Sequence, residues 1–258
     1  MRRLCHGTNR GGSTDLFQLT ELTWRQVREA GRSAIALLPI GSQEQHAEHL
    51  PMGTDTMLVT AVVDRAAALL AEDAGPEVVR LPALPYGHSP HHLFAAAVSL
   101  SADTLKAVLG DVLRSLTESG FRRVMIVNGH GGNDEIMRLA VKEHALRAAG
   151  TYAACSYWSL GAAASTPGHA GRYETSLMLA AHPDLVRTPI EPRPPADPPP
   201  LFDNPPHPGL TTERHGEWAR AGGATDDPST ARPDDPELTA RARQLAQAIR
   251  AFHAATND

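Results

Sequence analysis

A carboxylate and an imidazole two residues apart, Glu44 and His46, stand in the stretch Gly41-Ser42-Gln43-Glu44-Gln45-His46. In extended chain, side chains at i and i+2 leave the same face, so both groups can enter one cavity. Asp55 follows. Asn128-Gly129-His130-Gly131-Gly132-Asn133 offers an imidazole set among glycines, and His169-Ala170-Gly171-Arg172-Tyr173-Glu174 a further imidazole and carboxylate. Glu44, His46, Asp55, His130 and Glu174 together supply two nitrogen donors and three carboxylates. That mixture suits Zn²⁺, Mn²⁺ or Fe²⁺ and not a thiolate-preferring metal. The glycines around His130 imply a tight turn or a close backbone approach. His88, His91, His92 and Trp158 are candidates for the pocket beside such a centre; the alternatives are a subunit interface and, for Trp158, simply the core.

These residues need strands to carry them. Ser33 to Ile40 is a short apolar run ending at Gly41, as expected of a buried strand in a parallel sheet. A second strand is expected within Glu77 to Leu84, a third at Arg123 to Val127 and a fourth at Tyr152 to Trp158. Helical spacing is expected at Thr23–Arg32, Asp55–Leu70, Ser101–Gly120, Asp134–Ala149, Glu174–Ala181 and Glu237–His253, with Thr23 as one N-cap and Ser101 or Asp103 as another. Strands alternating with helices predict an α/β fold, a single-domain α/β/α sandwich around a mostly parallel sheet. In open α/β sheets ligands bind where strands end, and the chemistry-bearing segments follow the strands here. Residues 1–17 read as a flexible arm and 18–258 as the α/β domain. A Pro-rich insertion at about 188–210 breaks its pattern.

Each feature alone has a plainer reading. A single Glu or Asp in a loop is ordinarily a solvated group, and a single His near a turn is ordinarily structural. His6, His144, His182, His207, His215 and His253 are read that way. Asn128-Gly129 alone could be a turn and Gly131-Gly132 a helix entry. Their joint placement after strands is what favours a metal centre.

Composition removes other classes. The 258 residues carry a formal net charge of −5 and are 41% hydrophobic but only 5% aromatic, so the core must be largely aliphatic. No basic cluster suits nucleic acid or an anionic membrane. No apolar run approaches the length of a membrane span, and the polar stretch after Met1-Arg2-Arg3 is not a signal sequence. Cys5 and Cys155 form neither a disulfide framework nor a thiolate site, which fits a reducing, cytoplasmic setting. No Gly-rich phosphate loop follows any strand, which argues against a nucleotide-binding module.

Gly41-Ser42-x-Glu44-Gln45-His46 with His49-Leu50-Pro51 and Asp55, then Asn128 to Asn133, then His169-Ala170-Gly171-x-x-Glu174-Thr175-Ser176 resemble, in order and spacing, three motifs of the creatininase family. The resemblance covers roughly Ile35 to Pro183. It implies an α/β/α sandwich, commonly hexameric, that holds two divalent metal ions. It implies that Asp55 bridges them, that Glu44 and His130 complete one site, and that His46 and Glu174 complete the other. His169 matches the histidine that shuttles protons in creatinine-hydrolysing members. Two cations sharing a water lower its pKa toward neutrality. The resemblance implies that such a centre would supply a hydroxide for attack on an amide carbonyl and that His169 would protonate the departing nitrogen. Support of Glu174 is the alternative role for His169.

The sequence also departs from the family. Creatinine-cleaving members carry a carboxylate where Gly132 stands, many members have Gly-Pro at Ala47-Glu48 and a Pro-Gly-Thr stretch near Phe94 to Val98, and a family tryptophan is replaced by Ser165. The expected function is therefore hydrolysis of a non-protein C–N bond in a small amide: a lactam, a formamide or a small modified peptide. The competing expectation is a catalytically silent, metal-binding member acting in an assembly.

Overall fold

The computed structural model describes residues 17–161, 167–194, 196–233 and 236–256. Five strands, β1 (Phe17–Gln18), β2 (Ile35–Ile40), β3 (Val78–Arg80), β4 (Arg123–Asn128) and β5 (Thr151–Ser156), form one sheet in the order β1-β3-β2-β4-β5. Every pairing among them is parallel, with Ile35 opposite Arg123 and Arg123 opposite Thr151.

Alternation along the strands builds two cores. Ile35, Leu37, Met125, Val127 and Cys155 face one side and pack with Leu58, Val62, Leu177, Leu245 and Ile249. These come from helices α2 (Thr54–Glu72), α5 (Arg172–Ala181) and α7 (Glu237–Ala255). Ala36, Leu38, Ile40, Val124 and Ile126 face the other side, against Leu105, Leu109, Leu113 and Met137. Those side chains come from α3 (Ala102–Glu118) and α4 (Asp134–Ala145), beside α1 (Trp24–Ala30). Helices on both faces explain why β2 and β4 are buried along their whole length. The expected α/β/α sandwich is what the chain forms, with a sheet that is parallel throughout the described residues.

Thr23 caps its helix as expected, and of Ser101 and Asp103 it is Ser101 that caps the other. The Thr23 hydroxyl accepts the Gln26 N–H in a capping box, and the Ser101 hydroxyl accepts the Thr104 N–H. Boundaries differ in places. Phe17, read as part of the arm, pairs with Val79; the rest of the arm and Ser165 lie outside the described residues. The helix expected to reach Ala149 stops at Ala145, where the chain turns back toward β5. Trp158, expected to end a strand, lies in a single helical turn, Tyr157–Ser159. The Pro-rich stretch contains no helix among its described residues. A short one, α6 (Glu217–Arg220), follows it. No described helix is long and apolar enough to cross a membrane.

Candidate metal centre

β2 and β4 end side by side, since Ile40 pairs with Asn128, and this delivers two of the motifs to one place. Glu44 and His46 follow β2, and Asp55 lies in the first turn of α2. His130 follows β4, while Glu174 lies in the first turn of α5. All five are buried, with His46 at 0% exposure.

Asp55 sits between two imidazoles. Its Oδ1 lies 3.1 Å from His46 Nε2 and its Oδ2 3.1 Å from His130 Nδ1. Glu44 Oε1 is 3.2 Å from His130 Nδ1, and Glu174 Oε2 is 3.7 Å from His46 Nε2. The other nitrogen of each ring is occupied. His46 Nδ1 lies 3.1 Å from the Glu44 carbonyl, and His130 Nε2 lies 3.0 Å from the His88 carbonyl. A nitrogen that donates to a backbone carbonyl leaves its partner with a lone pair directed at the carboxylates, the arrangement a metal-ligating histidine uses.

The electrostatics lead to the same residues. Burial alone would lower His46, but Asp55, Glu174 and Glu44 outweigh it and raise its pKa to about 10. Burial is likewise outweighed at His130, which Glu44 and Asp55 raise well above the usual imidazole value. Burial would raise Glu44, but His130, His169 and His46 hold it well below the usual carboxylate range. Burial raises Glu174 to about 7. Three buried carboxylates thus create a site that demands positive charge. Glu44 Oε2 has no hydrogen-bond partner there. A hard or borderline divalent cation satisfies both conditions, so the donor set fits one.

His169, His91 and His92 join the cluster. Glu44, His92 and His169 form one group with donor atoms within 4.8 Å, and Glu44, His91 and His130 form another. His46, His169 and Glu174 form a third, and Glu44, His46 and Asp55 a fourth. His169 Nε2 lies 2.8 Å from the Gln45 carbonyl, and its Nδ1 lies 3.4 Å from Glu44 Oε1. Burial and the neighbouring His46 hold His169 well below the usual imidazole pKa. Burial lowers His91 and His92 to about 4. Trp158 is placed differently: its ring packs on Tyr157 in the core, and its carbonyl accepts from Arg241.

Several residues that position the site did not stand out as such in the sequence. The Asn128 side chain binds both the N–H and the carbonyl of His130, at 3.0 and 2.6 Å. Asn133 accepts from His88 N–H at 2.9 Å and donates to the Gly41 carbonyl at 3.0 Å, tying the loops after β2, β3 and β4 together. His49 reaches Thr175 at 2.8 Å and so holds α5. Above the histidines lies Trp218 of α6, with ring centroids 4.8 Å from His92, 4.9 Å from His91 and 5.6 Å from His169. Phe202 stacks on Trp218 at 3.7 Å. A tryptophan flanked by Gly216, Gly222 and Gly223 in a polar stretch was the one sequence signal for this roof.

A family model described as creatininase, creatinine amidohydrolase, matches residues 20–249. The chain belongs to the creatininase family. It is 39% identical over 156 residues to the mycofactocin precursor peptide peptidase of Mycobacterium ulcerans (strain Agy99), covering 59% of this chain and 60% of that one. The chain therefore spans about 60% of that peptidase's length. It is 35% identical over 195 residues to the creatinine amidohydrolase of Pseudomonas putida, covering 64% of this chain and 72% of the relative. Among solved structures it is similar to one named "Creatininase Mn", with a TM-score of 0.73 and 29% identity over 92% of this chain and 98% of that one. A Zn-Zn type creatininase variant gives a TM-score of 0.70 at 29% identity, again over 92% and 98% of the two chains. A creatininase variant complexed with creatine gives 0.73 at 28% identity and the same coverage. The solved structures similar to this chain thus include Mn and Zn-Zn forms of creatininase and one variant complexed with creatine.

Proposed function

We propose that this chain hydrolyses the C–N bond of a small amide using two divalent metal ions, Zn, Mn or Fe. The observation that carries this reading is the Asp55 carboxylate, each oxygen of which faces one imidazole at 3.1 Å. Asp55, Glu44 and His130 would hold one ion; Asp55, His46 and Glu174 would hold the other. When bound, two such ions lower the pKa of a shared water and polarise an amide carbonyl. The chain's own residues supply the rest. The Gln45 carbonyl fixes His169 through Nε2, which aims Nδ1 at Glu44 and into the site. A proton gained at Nδ1 is then delivered to the departing nitrogen, a transfer worth about 10²–10⁴ in rate. Burial of the whole cluster strengthens these electrostatic effects.

Gly132 argues against creatinine as the substrate. A Cβ there would lie 2.2 Å from the His88 carbonyl oxygen and 2.7 Å from His130 Nε2, so the backbone leaves no room for the carboxylate of creatinine-cleaving members. A lactam, a formamide or a small modified peptide is the class to screen. The free, buried Cys155 is compatible with a cytoplasmic setting. Exposed Leu93, Phe94 and Val98 beside the site support a homo-oligomer, a hexamer by the family resemblance, which light scattering tests.

Elemental analysis of untagged protein purified without chelators tests the central claim. About two divalent equivalents per chain are expected. No metal after incubation with Zn²⁺, Mn²⁺ and Fe²⁺ would overturn the mechanism and leave a catalytically silent member.

A further inference from the structure

The roof over the metal centre comes from outside the three motifs. Gly216, Gly222 and Gly223, all at positive φ, flank α6, and α6 presents Trp218 to His91, His92 and His169. One face of the indole is covered by Phe202, which lies parallel to it within 3°. The pair is fastened. Glu217 is buried, accepts the Leu201 N–H at 2.8 Å and pairs with Arg214 and Arg220 at 3.5 and 3.6 Å. Arg193 donates to the Ala221 carbonyl at 2.6 Å, and Gly223 lies against the Gln45 side chain. A surface loop has no need of a buried carboxylate and a stacked aromatic pair. These features hold one ring in one place.

We infer that Trp218 is a specificity-determining residue, which makes the site selective for amides that carry a flat, unsaturated group beside the scissile bond. The inference rests on the metal-hydrolase reading above. His91 and His92 both lie against Glu44 and under Trp218, so a group attached to a carbonyl directed at an ion held by Glu44, Asp55 and His130 would extend toward these rings. Aromatic walls favour planar partners through offset or edge contacts, and a polar or branched substituent gains less from them. Phe202 backs the indole, so Trp218 cannot turn away to admit bulk without losing its stacking.

Two metal-binding probes that differ only in the group at issue test this: benzohydroxamate and acetohydroxamate, titrated by calorimetry into the zinc-loaded full chain. Wild type is expected to bind benzohydroxamate about tenfold more tightly. Trp218→Ala should abolish the preference while acetohydroxamate affinity stays the same, and Trp218→Phe should keep most of it. Trp218→Leu, which retains apolar bulk without a π face, serves if the alanine variant does not fold. A preference that survives in the alanine or leucine variant overturns the inference and leaves the metal centre standing. Failure of both probes to bind zinc-loaded wild type overturns the metal reading and this inference with it.

Discussion

Thr225 holds the backbone of His169 from both sides: its hydroxyl accepts the His169 N–H at 2.8 Å, and its own N–H donates to the His169 carbonyl at 2.9 Å. His169 needs this support because both of its neighbours are in the left-handed region, Gly168 at φ 70° and Ala170 at φ 50°. Thr225→Val removes the hydroxyl acceptor and leaves a partly buried N–H unpaired, at a cost of about 1–3 kcal/mol. Turnover should fall about tenfold as His169 loses its position. Metal content should not change, and calorimetry should show a lower Tm. Loss of metal in this variant would mean that Thr225 supports the ligands and not His169.

His169→Ala tests the proton-transfer role directly. Turnover should fall about 10²–10⁴-fold with both metals retained. Glu174 keeps its own anchor in this variant, since its Oε2 accepts the Ala170 N–H at 2.6 Å. Undiminished turnover would reassign His169 to support of the site.

The half of the candidate site that follows the strands was legible in the sequence for a physical reason. A strand buried on both faces leaves an uninterrupted apolar run, as at Ile35–Ile40 and Arg123–Asn128, and the polar residues just after such a run must lie at the sheet edge. Glu44, His46 and His130 could be placed on that basis. Trp218 and Phe202 could not. They belong to a segment of proline, glycine and polar residues whose only helix among the described residues is Glu217–Arg220, too short to impose a period. Trp158 was misplaced onto a strand because Tyr157 and Trp158 prolong the apolar pattern of β5, although the chain turns into a helical turn after Ser156. Asn128 alone could be read as a turn residue, but its amide also positions His130, and the Asn133 amide holds the loop after β3.

Ala47 is a site of stored strain. It has φ 53°, a region costly for a residue with a Cβ, directly after the candidate ligand His46. Glycine relieves that cost and adds some flexibility to the unfolded chain, leaving a net gain of about 0.5–1 kcal/mol. The N–H of residue 47 keeps its bond to Gln45 Oε1. Ala47→Gly should therefore raise Tm by about 1–4 °C. An unchanged or lower Tm would show that the alanine methyl group makes compensating contacts.

Gly132 allows no side chain without movement. Gly132→Ala places a methyl group against the His88 carbonyl and the His130 ring, and overpacking of this kind costs about 1–3 kcal/mol or more. Gly132→Ala and Gly132→Glu should both lower Tm and weaken metal binding through His130. Neither should gain creatinine turnover. A glutamate variant that binds metal more tightly than wild type would show that the loop after β3 can move aside and that a carboxylate can serve as a ligand there.

Asp55 and Glu174 differ in what they face, and metal counting tests the roles proposed for them. Asp55 presents one oxygen to each imidazole, whereas Glu174 faces only His46 among the two, at 3.7 Å. Glu174→Ala should release one ion and leave the set of Glu44, Asp55 and His130 occupied. Asp55→Asn keeps the shape but removes a charge that both sets share, so both should weaken. Each variant should remain folded, because the site sits at the sheet edge and the two apolar cores on either side of the sheet are untouched. The measurement is zinc content by elemental analysis after dialysis, with circular dichroism to confirm folding. Unchanged content in Glu174→Ala would remove Glu174 from the ligand set. Loss of a single ion in Asp55→Asn would show that Asp55 serves one site and does not bridge two.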